Sequence, residues 1–203
     1  LLVKIFHDFG PDILGTQEGR IGQLKELDHS LKNLELVDSH RPWIDERMYP
    51  CLFINPKTVE VQSSGDIWLS ETPDIPGSSS FESTFPRLCT WANVRFKESG
   101  LEMLVINTHL DYIKQETRQK QIEVLIAEIK KFNKRPIFLM GDFNEPAKTV
   151  VMQELMKALD LKDPWSEKGL PEETSHHSFR GSEMIEGDRI DWILIPKSFD
   201  CEE

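Results

Sequence analysis

Short apolar runs bounded by turn-forming residues alternate along this chain with longer stretches in which apolar residues recur every three or four positions. The run DILGTQE, at 12–18, is apolar at Ile13 and Leu14 and ends on Glu18, which predicts a strand. A polar-apolar pattern predicts a helix over 22–34, and YPCLFINP reads as a strand between prolines. A short strand at 67–69 then leads into a stretch dense in Gly, Pro and Ser, which predicts a long irregular loop. LCTWANVRF and LEMLVINTHL flank KESG and predict a hairpin. Ile122, Leu125, Ile126 and Ile129 keep a helical period over 121–132, while Val150, Val151, Leu155, Met156 and Leu159 mark a second amphipathic helix. Between these helices PIFLMGDFNEP begins as a buried strand, and RIDWILIP supplies another near the end. Strands and helices alternate with hairpins among them, so the pattern predicts an α/β fold with mixed sheets.

Composition narrows the class. The 203 residues suffice for one domain with a sizeable core, and 38% hydrophobic with 29% charged residues is neither disordered nor membrane-spanning. No apolar run approaches bilayer length, and the opening LLVKIFHDFG has no leader-like pattern. The formal charge is −11, from 24 basic and 35 acidic residues, which leaves no broad basic footprint for tracking nucleic acid. Lys114, Arg118 and Lys120 form a small basic group that reads as a solvated helix face. Cys51, Cys89 and Cys201 are far apart and lack metal-ligand spacing, so neither a disulfide scaffold nor a zinc site is expected. Cys51 and Cys89 read as buried thiols. Sparse cysteine suits a reducing compartment, so a cytoplasmic location is the expectation.

Polar residues then stand where apolar strands end. Glu18 closes the first strand, His109 and Asp111 follow LVINT, Asp142 and Asn144 follow PIFLMG, and Asp191 sits near the start of RIDWILIP. Only Asp191 has a basic residue, Arg189, at a spacing that would pair it along the same strand face. Each has a structural reading alone: turn formers for Asp142 and Asn144, a solvated strand end for Glu18, a hydrogen-bonded histidine for His109, half an ion pair for Asp191. Their conjunction points elsewhere, because carboxylate and amide oxygens without thiolate suit a hard cation such as Mg²⁺. Metal-assisted attack of water on phosphorus needs such a cation, a base and neutral donors.

In order along the chain, PDILGTQE, WLSETPDIPGS, FPRLCTWANVRF, INTHLD, IFLMGDFNEP and GDRIDWILIP resemble the endonuclease/exonuclease/phosphatase superfamily, which includes pancreatic deoxyribonuclease, abasic-site endonucleases and neutral sphingomyelinases. The resemblance implies a four-layer α/β sandwich, with two mixed β-sheets face to face and helices outside. It implies that Glu18 ligates Mg²⁺ or Mn²⁺, that Asp142 orients or deprotonates the attacking water, and that Asn144 bonds the water or the phosphate. His109 would donate to a non-bridging phosphate oxygen, Asp191 would orient a catalytic histidine, and Arg87 would lie near the phosphate. His177 and Arg180, in HHSFRG, are further candidates for substrate phosphate, and His176 shares that loop. His7, His29 and His40 read as surface or helix residues.

The same resemblance places an asparagine on a strand upstream of LLVKIF and Ser-Asp-His on a strand beyond DCEE. Residues 1–203 are thus expected to form a single domain of this type without the family's first and last strands. The function implied is divalent-metal-dependent phosphoester hydrolysis by in-line water attack, with a nuclease or phosphodiesterase ranked first. A phosphatase or lipid head-group phosphodiesterase on a small phosphoester comes second, and a non-catalytic binding relative third. The expected partner is a phosphoester substrate, and the expected state is a monomer.

Overall fold

The computed structural model describes residues 2–132, 135–176 and 187–202. Helix α1 (Leu2–Phe9) leads into strand β1 (Ile13–Gly19), helix α2 (Ile21–Ser30) and strands β2 (Glu35–Leu36) and β3 (Tyr49–Ile54). Strands β4 (Val59–Trp68), β5 (Leu88–Phe96) and β6 (Glu102–His109) follow, then helix α3 (Gln115–Ile129) and strand β7 (Ile137–Asp142). Helix α4 (Val150–Leu159), strand β8 (Leu161–Lys162), helix α5 (Pro164–Glu167) and strand β9 (Asp191–Pro196) complete the described elements.

The strands form two sheets, β1-β3-β2 and β4-β5-β6-β7-β9-β8. The smaller sheet is antiparallel throughout, and parallel pairing is confined to β6–β7 in the larger one. That pair needs a crossover, which α3 provides. Strand β6 is buried from Met103 to His109, and its side chains divide by parity between two cores. Leu104 and Ile106 join Ile122, Leu125, Val151 and Leu155 under α3 and α4. Met103 and Val105 instead meet Leu52 and Ile54 between the sheets. On the far side of the small sheet, Leu24 and Leu31 pack with Tyr49 and Phe53. The layers are therefore helix, small sheet, large sheet, helices, as the resemblance implied. No described helix is long and apolar enough to cross a membrane.

Three of the expected elements differ in extent from the sequence pattern, and α1, β2, β8 and α5 were not expected. Strand β4 runs for ten residues rather than 67–69 alone, pairing with β5 from Val59↔Phe96 to Trp68↔Leu88 around a bulge. It is the outer strand of its sheet, so half its length carries Glu60, Gln62, Ser63 and Ser64 and lacks an apolar signature. Helix α3 starts at Gln115, six residues before its apolar period, because its first turns bury polar Thr117, Arg118 and Gln121. Helix α2 stops at Ser30, short of the expected 34.

Candidate active site

Sheet register brings three of the expected residues into one row. His109 on β6 stands opposite Asp142 on β7, and Asp142 stands opposite Asp191 on β9. Side chains alternate along a strand, and His109 shares its parity with Met103 and Val105, so the row lies on the face that meets the small sheet. His109 is buried, with Nε2 3.4 Å from Asp142 Oδ2, while Asp191 is exposed.

Glu18 arrives from the opposite sheet through a β-bulge. Thr16 pairs with Cys51 and Gly19 with Tyr49, so one extra residue is accommodated, and Glu18 takes a left-handed φ of 61°. Its carboxylate is largely exposed and reaches within 4.0 Å of His109 Nε2. Beneath it Asn107, fully buried, ties the sheets together. Its Nδ2 donates to Thr16 O (2.9 Å) and Cys51 O (2.8 Å), and Gln17 Nε2 donates to its Oδ1 (2.8 Å). The sheets approach so closely here that a Cβ on Gly15 would sit 2.6 Å from Met140 Sδ.

The turn after β7 is equally constrained. Gly141 has φ 144°, and a Cβ there would lie 2.0 Å from Thr108 O, so only glycine lets β7 pass β6 in this conformation. Asn144 is left-handed at φ 49°. Its backbone N–H donates to Asp142 Oδ1 (2.8 Å) and its Nδ2 to Leu110 O (3.1 Å), leaving Oδ1 for other partners. The motif is a turn, as its composition suggests, and the turn fixes the Asp142 carboxylate.

Electrostatics separate these groups. Burial, aided by the positive field of Arg87, pulls the His109 imidazolium down to about 3, so its ring is neutral near pH 7. Burial pushes the Asp142 carboxyl up to about 6; the Asp191 and Glu18 charges add to this, while the Asn144 bond and Arg87 oppose it. Arg87 is 6% exposed, makes no ion pair among the described residues, and has a buried Nε with no acceptor. Burial depresses its guanidinium below the ordinary range, opposed by the nearby Asp111, Asp142 and Glu18 charges. An unpaired buried cation of this kind is costly unless an anion completes it.

A supporting network escaped the sequence pattern. Glu145 is fully buried and accepts from Arg118 Nε (2.6 Å) and Gln115 Nε2 (3.1 Å), while its carbonyl accepts from Trp192 Nε1 (3.0 Å). Arg118 is therefore a buried partner of the turn after β7, not part of a solvated basic face. Asp111 is also buried, accepting from the backbone N–H groups of Thr84 (2.8 Å) and Ile113 (2.9 Å). Arg189 does not pair with Asp191. It is held by Asp163 (2.6 Å) and Glu172 (2.9 Å) and stacks over Trp192 at 4.0 Å, so Asp191 keeps its carboxylate free of that cation. His177 and Arg180 lie outside the described residues. The one signal for the network was the position of Glu145 and Asp111 just past strand ends.

The residues fit a hard cation better than a closed metal cage. Among the described residues no three His, Cys, Asp or Glu side chains converge on one point. What is present is an exposed Glu18 carboxylate and the Asp142 carboxylate, 4.0 Å and 3.4 Å from the same His109 Nε2, with Cys51 and Cys89 buried elsewhere. One or two carboxylates completed by water and substrate oxygens is the usual environment of Mg²⁺.

The model of the endonuclease/exonuclease/phosphatase family matches residues 1–200. No curated protein matches the chain by sequence. Among solved structures, a mannosyl-6-phosphatase from Bacteroides thetaiotaomicron VPI-5482 is 25% identical with a TM-score of 0.84, covering 97% of this chain and 75% of that one. An endonuclease/exonuclease/phosphatase from Bacteroides vulgatus is 25% identical with a TM-score of 0.87, covering 97% and 77%. TDP2 from D. rerio, solved with a single-strand DNA product, shares the fold at 18% identity and a TM-score of 0.72, covering 98% and 77%.

Proposed function

The chain belongs to the endonuclease/exonuclease/phosphatase family, and from that premise we propose that it hydrolyses a small phosphoester by in-line attack of water, with Mg²⁺ or Mn²⁺ as cofactor. The observation that carries this reading is the row His109–Asp142–Asp191 beside a buried arginine that lacks an anion. Glu18 would hold the cation, and Asp142 and the Asn144 amide oxygen would accept hydrogen bonds from the attacking water. When bound, the cation would supply charge for the phosphate oxygens in the transition state.

Asp142, ionised near neutral pH and fixed by the Asn144 N–H, is placed to accept a proton from water. As it does so, the water oxygen forms a bond to phosphorus and the bond to the leaving oxygen breaks. The leaving oxygen takes a proton from solvent, so ester and water become phosphate and alcohol. His109, neutral at that pH, donates one N–H to a non-bridging oxygen rather than a proton. Arg87 pairs with the same phosphate and thereby gains its missing acceptor. Asp191, exposed at the end of the row, is available to orient a further donor.

Two considerations favour a small phosphoester over a long strand. A charge of −11 offers no stripe of cations for a nucleic-acid backbone, and the likeness to a mannosyl-6-phosphatase reaches 25% identity. The test is hydrolysis of a phosphomonoester and a phosphodiester in Mg²⁺, with EDTA and Asp142→Asn as controls. Turnover that persists in EDTA or in the variant overturns the assignment.

A further inference from the structure

The strand pairing that aligns His109 with Asp142 ends at those two residues, and beyond them β6 and β7 run into separate turns. The turns bond each other through Leu110, whose N–H donates to Asp142 O (3.0 Å) and whose carbonyl accepts from Asn144 Nδ2 (3.1 Å). Arg118 of α3 reaches both turns from beneath. Its Nε donates to Glu145 Oε1 (2.6 Å), in the residue after Asn144, and its Nη1 donates to Asp111 O (3.2 Å), in the turn that follows His109. Gln115 Nε2 donates to the other Glu145 oxygen (3.1 Å), and Gln121 Oε1 accepts from Asp111 N–H (2.9 Å). Gln115, Arg118 and Gln121 recur at helical spacing, so one face at the start of α3 holds both turns. Trp192 Nε1 donates to Glu145 O (3.0 Å), which ties the strand of Asp191 to the same point.

Packing alone gives no reason for this chemistry. The rest of α3 is anchored by Ile122, Leu125 and Ile129, whereas its beginning buries Thr117, Arg118 and Gln121. Arg118 is 8% exposed and Glu145 0%, and an ion pair so deep adds little stability over apolar side chains of similar volume. What it adds is direction. A guanidinium is a rigid planar fork, so bonds from Nε and Nη1 of one group fix how far apart their two acceptors stand. Here the acceptors belong to the turns that begin at His109 and Asp142, whose Nε2 and Oδ2 lie 3.4 Å apart. Rates depend steeply on such spacing, a displacement of about 1 Å costing about 10²-fold.

We propose that Arg118 is a positioning residue for the hydrolytic site: by bridging the Asp111 carbonyl and the Glu145 carboxylate, it sets the spacing of His109 and Asp142 around the phosphate and its attacking water. Arg118 acts through the two turns rather than on substrate. The catalytic consequence rests on the phosphoester reading of the site, and the bridge itself does not.

The test pairs Arg118→Met/Glu145→Met, which removes both charges together, with Arg118→Lys, which keeps a cation for Glu145 but loses the fork. Turnover of 4-nitrophenyl phosphate and bis(4-nitrophenyl) phosphate in Mg²⁺, and amide hydrogen exchange in EDTA, are measured on each. Both variants are expected to keep the exchange protection of Leu104 and Leu139 in the strands, while the Leu110 and Asn144 amides of the turns exchange about tenfold faster. Their kcat is expected to fall about 10²-fold with KM little changed, because the loss appears only in the transition state. Unchanged exchange at the turns, or kcat kept in either folded variant, overturns the proposal. So does a fall in kcat no larger than the loss of folded protein. Arg118→Lys decides alone should the double variant not fold. If the unmodified protein hydrolyses neither ester, the phosphoester reading and the catalytic role fall together, while exchange at the turns still decides the bridge.

Discussion

Arg41 and Arg87 are both buried arginines, and they are provided for in opposite ways. Arg41 sends Nε (2.7 Å) and Nη2 (2.6 Å) to the two oxygens of Asp66, Nη1 to Cys51 Sγ (2.9 Å), and Nη2 also to Thr90 Oγ1 (2.5 Å). Its guanidinium carbon lies 4.8 Å from the Trp43 ring centre and 4.6 Å from that of Tyr49. Burial alone would raise the Asp66 carboxyl, but the Arg41 hydrogen bonds and charge, with the His40 ring 3.2 Å away, outweigh it and hold it below the ordinary range. His40 thus belongs to this network, with Nδ1 2.9 Å from Ser64 Oγ, and is not a surface residue. Arg87 has no such hydrogen-bond partner among the described residues, and its ring contact is with Phe85 at 5.9 Å. The difference separates an arginine that completes the fold from one that waits for an anion, and Arg118 and Arg189, each bound to carboxylates, side with Arg41.

Crossed substitutions test that division most strongly. Arg87→Met is expected to cut phosphoester turnover about 10²–10³-fold, as loss of a positioned charge donor does, while leaving the urea midpoint unchanged or higher. Arg41→Met strands Asp66 without its partner and is expected to cost about 3–5 kcal/mol in urea unfolding. If Arg87→Met unfolds as readily as Arg41→Met, the contrast between the two arginines fails.

How far each cluster was legible in the sequence follows from the range of its contacts. His109, Asp142, Asn144 and Asp191 announced themselves because a polar residue closing an apolar strand is a local pattern, and sheet register then put three of them in one row. Glu18 was visible for the same reason, but its left-handed bulge was not, since a bulge appears only against the partner strand. Arg41–Asp66, Arg118–Glu145 and Arg189–Asp163 join residues 25, 27 and 26 positions apart, so no spacing rule links them. Arg118 was misread as solvated and Arg189 was assigned to Asp191 because only local neighbours could be seen. The two sheets and outer helices were implied by the six segments; the polar outer half of β4 was lost because alternation fades on an exposed strand.

Ligand linkage sharpens the comparison next. An anion that binds only the folded protein at 100 times its Kd adds about 2.7 kcal/mol to stability. Inorganic phosphate is therefore expected to raise the urea midpoint of the unmodified protein and not that of Arg87→Met. An equal rise in both would place the phosphate elsewhere.

Proton linkage gives an effect of roughly 2–3 kcal/mol in metal-free buffer. The His109 pKa falls on folding from 6.5 to about 3, so its contribution is present above 6.5 and lost as pH drops toward 3. The Asp142 pKa rises from 3.8 to about 6, so its contribution is present below 3.8 and lost as pH climbs to 6. Between pH 4 and 6 the unfolded chain carries a proton on the histidine and the folded chain carries one on Asp142, so the two slopes oppose each other. Asp142→Asn should unmask stability that rises with pH in this window, and His109→Gln stability that falls. Parallel slopes in the two variants would contradict the assignment.

The smallest expected effect concerns the backbone rather than a charge. Glu18 is held at φ 61°, a conformation that costs a residue with a Cβ on the order of 1 kcal/mol and glycine much less. Its carboxylate also raises the nearby Asp142 pKa and has no Lys or Arg ion pair among the described residues that a substitution would break. In EDTA, Glu18→Gly should therefore be about 0.5–1 kcal/mol more stable than the unmodified protein, part of the relief being offset by the greater freedom of glycine in the unfolded chain. In Mg²⁺ the order should reverse, because only the unmodified protein keeps the carboxylate proposed to hold the cation. Urea midpoints with and without Mg²⁺ decide it. A variant that is less stable in EDTA as well would make Glu18 a structural residue of the bulge, and its side chain would then belong with Arg41 rather than with Arg87.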